Sequence, residues 1–183
     1  IPSIMSSLLD GERTEQFIEE SLKWMGLQKE KAALGREKEK NDIEFELILV
    51  KWKLSETDDA RERLKLILQQ KILMRQKESI GLKAGLEEEQ KKLKANKDEA
   101  QAPILKDAIN RLSVRLQKLN AQSEIDSARL ELISLREAYE DARWRSDKKK
   151  EVRLKVEIER LKADLLLKRF DRDLIGLEGD ERA

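Results

Sequence analysis

The chain has 183 residues, of which 42% are charged, 4% are aromatic, seven are glycine and two are proline, a composition that excludes most β and α/β globular domains and points to long helices. Its 39 basic and 38 acidic residues leave a net charge of +1, so no whole-molecule field steers it to nucleic acid or to an anionic membrane. There is no cysteine and no histidine, which removes disulfides, thiolate and imidazole metal sites, thiol catalysis and the commonest general base.

In chain order, Ile1, Ile4, Met5, Leu8 and Leu9 recur at helical spacing and predict a short amphipathic helix over residues 1–11, stopped by Gly11. The chain opens on Ile1 rather than methionine, as a processed product or a piece of a longer protein would. From Glu12 to about Leu54 a second helix is expected, with Phe17, Ile18, Leu22 and Met25 on one face and points of weakness at Gly26 and Gly35. SETDD, from Ser55, predicts a break near residue 56, with Ser55 and Asp58 spaced like a capping box.

The next helix is predicted over residues 56–95 with a seam of Leu64, Ile67, Leu68, Ile72, Leu82, Leu86 and Leu93. Gly81 and Gly85 stand four apart, a spacing that in this charged context suggests close packing or a bend. KANKDEAQAP loses the apolar period and ends in Pro103, a residue suited to a first helical turn, so a loop and an antiparallel reversal are expected there. Beyond it Leu105, Ile109, Leu112, Leu116 and Leu119 form one heptad seam, and Ile125, Ala128, Leu132, Leu135, Tyr139 and Ala142 form another in shifted phase. Neither glycine nor proline interrupts 104–175, so a helix of about 70 residues is permitted; RSDKKK, Arg145 to Lys150, is the alternative point for a turn. Residues 175–183 read as a flexible tail.

Two segments are ambiguous between strand and helix. In NDIEFELILVKWKLSE, from Asn41, alternation at period two slips at Leu49 and Val50, whereas at about 100° per residue Ile43, Leu47, Val50 and Leu54 cluster on one side and Phe45, Ile48, Leu49 and Trp52 on the other. In EVRLKVEIE, from Glu151, Leu154, Ile158, Leu161 and Leu165 oppose Val152, Val156, Ala163, Leu166 and Phe170. An isolated two-stranded ribbon is marginal in water, so both are read as helices apolar on two sides.

These elements predict an all-α fold, an elongated antiparallel coiled-coil or helical hairpin bundle of three to four long helices spanning residues 12–174. Phe45, Ile48, Leu49, Trp52, Val152 and Val156 are the expected protein interface. Lys148, Lys149, Lys150, Arg153 and Lys155 lie in a stretch, 145–172, with 11 basic and 6 acidic residues; they are candidates for an anionic surface, with Glu151, Glu157 and Glu159 as competing partners along the helix. Trp24, Trp52 and Trp144 are expected to anchor the bundle. No phosphate-loop or dinucleotide fingerprint occurs, and carboxylates without histidine define no acid–base pair, so the expectation is a non-enzyme without cofactor, metal or small-molecule substrate. The leading expectation is a cytoplasmic structural or scaffolding coiled-coil protein that self-associates as a homo-oligomer or forms an arm of a larger assembly. A membrane-associated scaffold, using the first helix and the basic strip, is the first alternative. Nucleic-acid binding through residues 148–155 is the second.

Overall fold

A computed structural model describes the backbone of residues 2–182 and the side chains of residues 11–178. It is all-α: α1 spans Pro2–Glu56, α2 Ala60–Ala95, α3 Ala102–Trp144 and α4 Lys148–Arg182. No strand occurs among the described residues. The chain divides into two units, Ile1–Asp42 and Ile43–Ala183.

The first unit is helix alone, and none of its described side chains is buried. α1 runs through Gly11 instead of stopping there, because a single interior glycine costs a helix only about 1 kcal/mol and neither a proline nor a left-handed cap follows it. The side chains of Ile1, Ile4, Met5, Leu8 and Leu9, and with them the amphipathic character expected of residues 1–11, lie outside the described residues.

The second unit is a serial array in which each helix packs antiparallel on its neighbour in sequence. The first junction caps both helices. Ser55 Oγ donates to the Trp52 carbonyl (2.6 Å) and Thr57 Oγ1 to that of Lys53 (2.6 Å), closing α1, while Asp59 accepts the Glu62 amide (3.0 Å) and starts α2. The N-cap is therefore Asp59 and not Ser55, whose hydroxyl is committed to the end of α1. At the second junction Asn96 and Asp98 fold the loop with side chain to backbone bonds, and Pro103 stands in the first turn of α3 as its lack of an N–H favours.

The third junction is a turn at Arg145–Asp147. Ser146 adopts φ 56°, its amide donates to the Arg143 carbonyl (3.1 Å) and the Asp147 amide to that of Ala142 (3.0 Å), which is the Schellman closure of a helix end with serine in the left-handed position. Asp147 then accepts the Lys150 amide (3.3 Å) and caps α4. α4 continues as helix to Arg182, through the residues expected to form a tail, because isolated glycines such as Gly176 and Gly179 cost a helix only about 1 kcal/mol each and no proline stands within it.

Packing follows the bifacial pattern. Val50, Leu66 and Leu73 form one core between α1 and α2, with Ile43, Leu47 and Leu54 against it; Ile125, Ala128 and Leu165 form another between α3 and α4, with Leu161 against it. Leu68, Leu119, Ala121, Leu132, Leu154 and Ile158 are also buried. The second of the two α3 seams, from Ile125 to Ala142, is the more deeply covered. The expected α2 seam is corrected: Leu64 is exposed, and Leu66 and Leu73 are buried, since α2 is covered on two sides, by α1 and by α3. Gly85 faces Leu112 of α3, with ordinary van der Waals room for a Cβ (3.8 Å), and Gly81 faces open space, so the glycine spacing is not a close-packing device.

Charged pairs set the register of α2 on α3. Arg61 grips Glu140 with two bonds (2.8 and 3.0 Å), Lys65 reaches Glu137 (2.6 Å), Arg75 meets Asp126, and Arg115 reaches Glu78 (2.8 Å). Partners advance along α2 as they retreat along α3, as an antiparallel pair requires.

Candidate protein interface

The apolar face that α1 turns away from the core is the first candidate site. Val50 is buried and its neighbours one helical turn away, Leu47 and Leu54, are partly covered, which fixes the rotation of α1 on α2. Phe45, Ile48 and Trp52 are consequently 62%, 63% and 59% exposed. Leu49 is 40% exposed and leans toward α2, lining a shallow groove with Val50, Ile72, Leu73 and Leu130.

α4 repeats the arrangement on α3. Burial of Leu154, Ile158 and Leu165 leaves Val152, Val156, Leu166 and Phe170 exposed on the other side. Val152 and Val156 are not grouped with Phe45, Ile48, Leu49 and Trp52: the first pair lies on α4, which packs on α3, and the second group on α1, which packs on α2. The six expected interface residues therefore belong to two strips, one on each terminal helix of the array.

The basic residues Lys148, Lys149, Lys150, Arg153 and Lys155 are all exposed, and none forms an ion pair among the described residues. Two of the three acidic neighbours expected to compete for them are used elsewhere, Glu151 with Arg143 (3.8 Å) and Glu159 with Lys162 (3.3 Å), and Glu157 pairs with none of them. Three lysines in the first turn of α4 also stand at the positive end of a helix, so the local potential there is reinforced.

Two features differ from the reading of the sequence. Trp24, Trp52 and Trp144 do not anchor the bundle; they are 62%, 59% and 88% exposed. Phe17, Leu27 and Leu34 add to the uncovered apolar surface of the first unit. The legible signal was the spacing: Phe17 and Trp24, and Leu27 and Leu34, stand seven apart.

A further groove between α2, α3 and α4 is lined by Lys71, Arg75, Arg115, Lys118 and Arg172, but Arg75, Arg115 and Arg172 are committed to Asp126, Glu78 and Asp173. No cluster of carboxylates suited to a metal ion occurs among the described residues, and no described helix is long and apolar enough to cross a membrane. No protein-family model, curated protein or solved structure matches the chain.

Proposed function

We propose that this chain is a structural, scaffolding coiled-coil protein of the cytoplasm that acts through contact, by self-association or as an arm of a larger assembly, and not by catalysis. One observation carries the reading: α1 and α4 each bury one apolar face inside the second unit and leave an opposite apolar face uncovered. Contiguous exposed apolar surface is costly for a monomer in water and generally marks a contact site. Helices of this kind are stabilised by tertiary packing more than by intrinsic propensity, so the first unit, with no described side chain buried, gains most from a partner.

The test is light scattering over a wide concentration range on the wild-type chain and on Phe45→Lys/Ile48→Lys. The expected result is a mass that rises with concentration for the wild type and falls to the monomer in the variant, with helical content unchanged. An unaltered mass in the variant removes the α1 strip from the interface, and a variant that unfolds assigns the strip to a core.

The uncovered bases at the start of α4 support a second reading, a membrane-associated scaffold. Co-sedimentation with vesicles of mixed anionic and neutral lipid tests it; equal recovery on neutral vesicles alone excludes a role for Lys148, Lys149, Lys150, Arg153 and Lys155.

A further inference from the structure

The uncovered faces of α1 and α4 are heptad seams, and their flanking charges are opposite. Along the first unit Phe17, Glu20, Trp24, Leu27, Lys31, Leu34, Lys38 and Asn41 follow the alternating three-four step of a coiled-coil seam, and the large apolar members are all exposed. Along α4 Val152, Val156, Glu159, Ala163, Leu166, Phe170, Asp173 and Leu177 do the same, again on exposed surface. Seams of this spacing pack side by side when the helices supercoil, with the residues on either flank facing each other across the joint.

The flanks of the α4 seam are Lys148, Arg153, Lys155, Arg160, Lys162 and Arg169, with no acid among them. The charged flanks of the first unit are Lys23, Glu30, Glu37 and Asp42, three acids and one base. Glu30, Glu37, Asp42, Arg153 and Arg169 form no ion pair among the described residues, so they are available to a partner.

We propose, resting on the self-association argued above, that the helix of the first unit lies antiparallel along the outer face of α4 in a second copy of this chain, Leu27 against Phe170 and Leu34 against Ala163. In this register Glu30 faces Arg169, Glu37 faces Lys162 and Asp42 faces Arg153. One polar seam position matches as well: Lys38 meets Glu159, beside the Glu37 and Lys162 pair, whereas Lys31 meets Leu166 and Asp173 meets Trp24. A shift of one heptad toward the C-terminus of α1 keeps the pairing of acid with base, Glu37 with Arg169 and Asp42 with Arg160, and sets Lys31 on Asp173, but it puts Phe45 on Glu159 and Lys51 beside Lys155.

The same charges act against the homotypic joints. Two α4 seams set base against base in either orientation. Two first-unit seams set Glu37 against Asp42 when parallel and Glu30 against Glu37 when antiparallel. Specificity built on such repulsion selects the unlike pair. An antiparallel α1 to α4 joint also continues, across the boundary between copies, the alternation of direction that orders the helices of the second unit. The contact is heterologous, so copies add head to tail.

The chain lacks cysteine, which makes crosslinking clean. Two triple variants are compared with the wild type by sedimentation, Glu30→Lys/Glu37→Lys/Asp42→Lys and Arg153→Glu/Lys162→Glu/Arg169→Glu, with circular dichroism to confirm helix content. Each alone is expected to weaken association by about tenfold or more, since like charges across an interface are strongly unfavourable. An equimolar mixture of the two, and the chain carrying all six changes, are expected to recover it. Oxidising a mixture of Leu34→Cys and Ala163→Cys chains is expected to give mainly the mixed disulfide dimer. Triple variants that associate like the wild type, or a mixture that fails to recover, overturn this joint while leaving self-association through another face intact. A wild type that stays monomeric at every concentration overturns self-association itself. Crosslinks of Leu34→Cys to itself, or closure within one monomer of the Leu34→Cys/Ala163→Cys chain, show that the occupant of the α4 face is not α4-seeking helix from a second copy.

Discussion

Arg75 of α2 donates to the carboxylate of Asp126 on α3, and that carboxylate is 1% exposed. Arg129, one turn along α3, approaches the other oxygen at 3.4 Å, and Gln122 approaches it at 3.5 Å. The carboxylate is thus enclosed and supplied with donors, the most buried member of the row of charged pairs between α2 and α3. Removing one member of such a pair leaves the other desolvated without compensation, at about 3 kcal/mol or more where both are enclosed and less where the partner reaches water, as Arg75 does in part.

Asp126→Ala is therefore expected to destabilise the chain by about 2–3 kcal/mol. Arg75→Met combined with Asp126→Leu is expected to return most of that loss. Urea denaturation of the two variants beside the wild type measures both changes. A double variant as unstable as the single one would assign the loss to packing around Asp126.

Ser146 holds a left-handed conformation that glycine adopts without the clash of a Cβ. Ser146→Gly is expected to stabilise the α3 to α4 turn by about 0.5–1 kcal/mol, read as a rise in the denaturation midpoint without change in its slope. Ser146→Val is expected to do the opposite, because a β-branched side chain is poorly tolerated at positive φ.

The Arg61 guanidinium, hydrogen-bonded to Glu140, holds that carboxyl below its ordinary value, and the same contact holds the guanidinium on its protonated side. A carboxyl depressed in the folded state contributes stability that is present above its unfolded value and lost as pH falls through the folded one. Carboxyl NMR across acid pH is expected to show Glu140 titrating below an ordinary glutamate, and Arg61→Gln is expected to bring it back. An unchanged Glu140 titration in that variant would remove Arg61 as the cause.

Core and surface positions should separate cleanly on one helix pair. Ile125 is fully buried between α3 and α4, so Ile125→Ala is expected to cost about 2–5 kcal/mol, as large-to-small changes in packed cores do. Phe170→Ala, on the exposed side of α4, is expected to leave the stability of the isolated monomer within about 0.5 kcal/mol. Thermal or urea denaturation at a concentration where the chain is monomeric measures the contrast.

Much of the fold was legible because the apolar spacing dictates it. The opposed faces of Asn41 to Glu56 and of Glu151 to Phe170 follow from counting angles, and the structure packs Val50 and Leu154 while leaving Phe45 and Val152 outside. Pro103 and the polar run before it announced the reversal between α2 and α3. Other features were written in weaker signals. The cap at Asp59 competes with Ser55 and Asp58 nearby, and only the hydroxyl bond of Ser55 back to α1 settles which one starts α2. The turn at Ser146 carries no glycine. α1 passes through three glycines, since one of them alone does not outweigh the helix on either side. The tryptophans were misplaced because aromatic residues of a bundle were expected to face its core, whereas here they lie at spacings that the core does not use.

Within the second unit each helix is held by its neighbours in sequence, α2 by α1 and α3, and α4 by α3. Such contacts close early along the chain, which favours rapid folding for a protein of its size. They also mean that cooperativity decays with distance along the array, as it does in repeat proteins. Hydrogen exchange should accordingly be slowest in α2 and α3, each gripped from both sides, and the terminal helices should fray while the α2 to α3 hairpin stays closed.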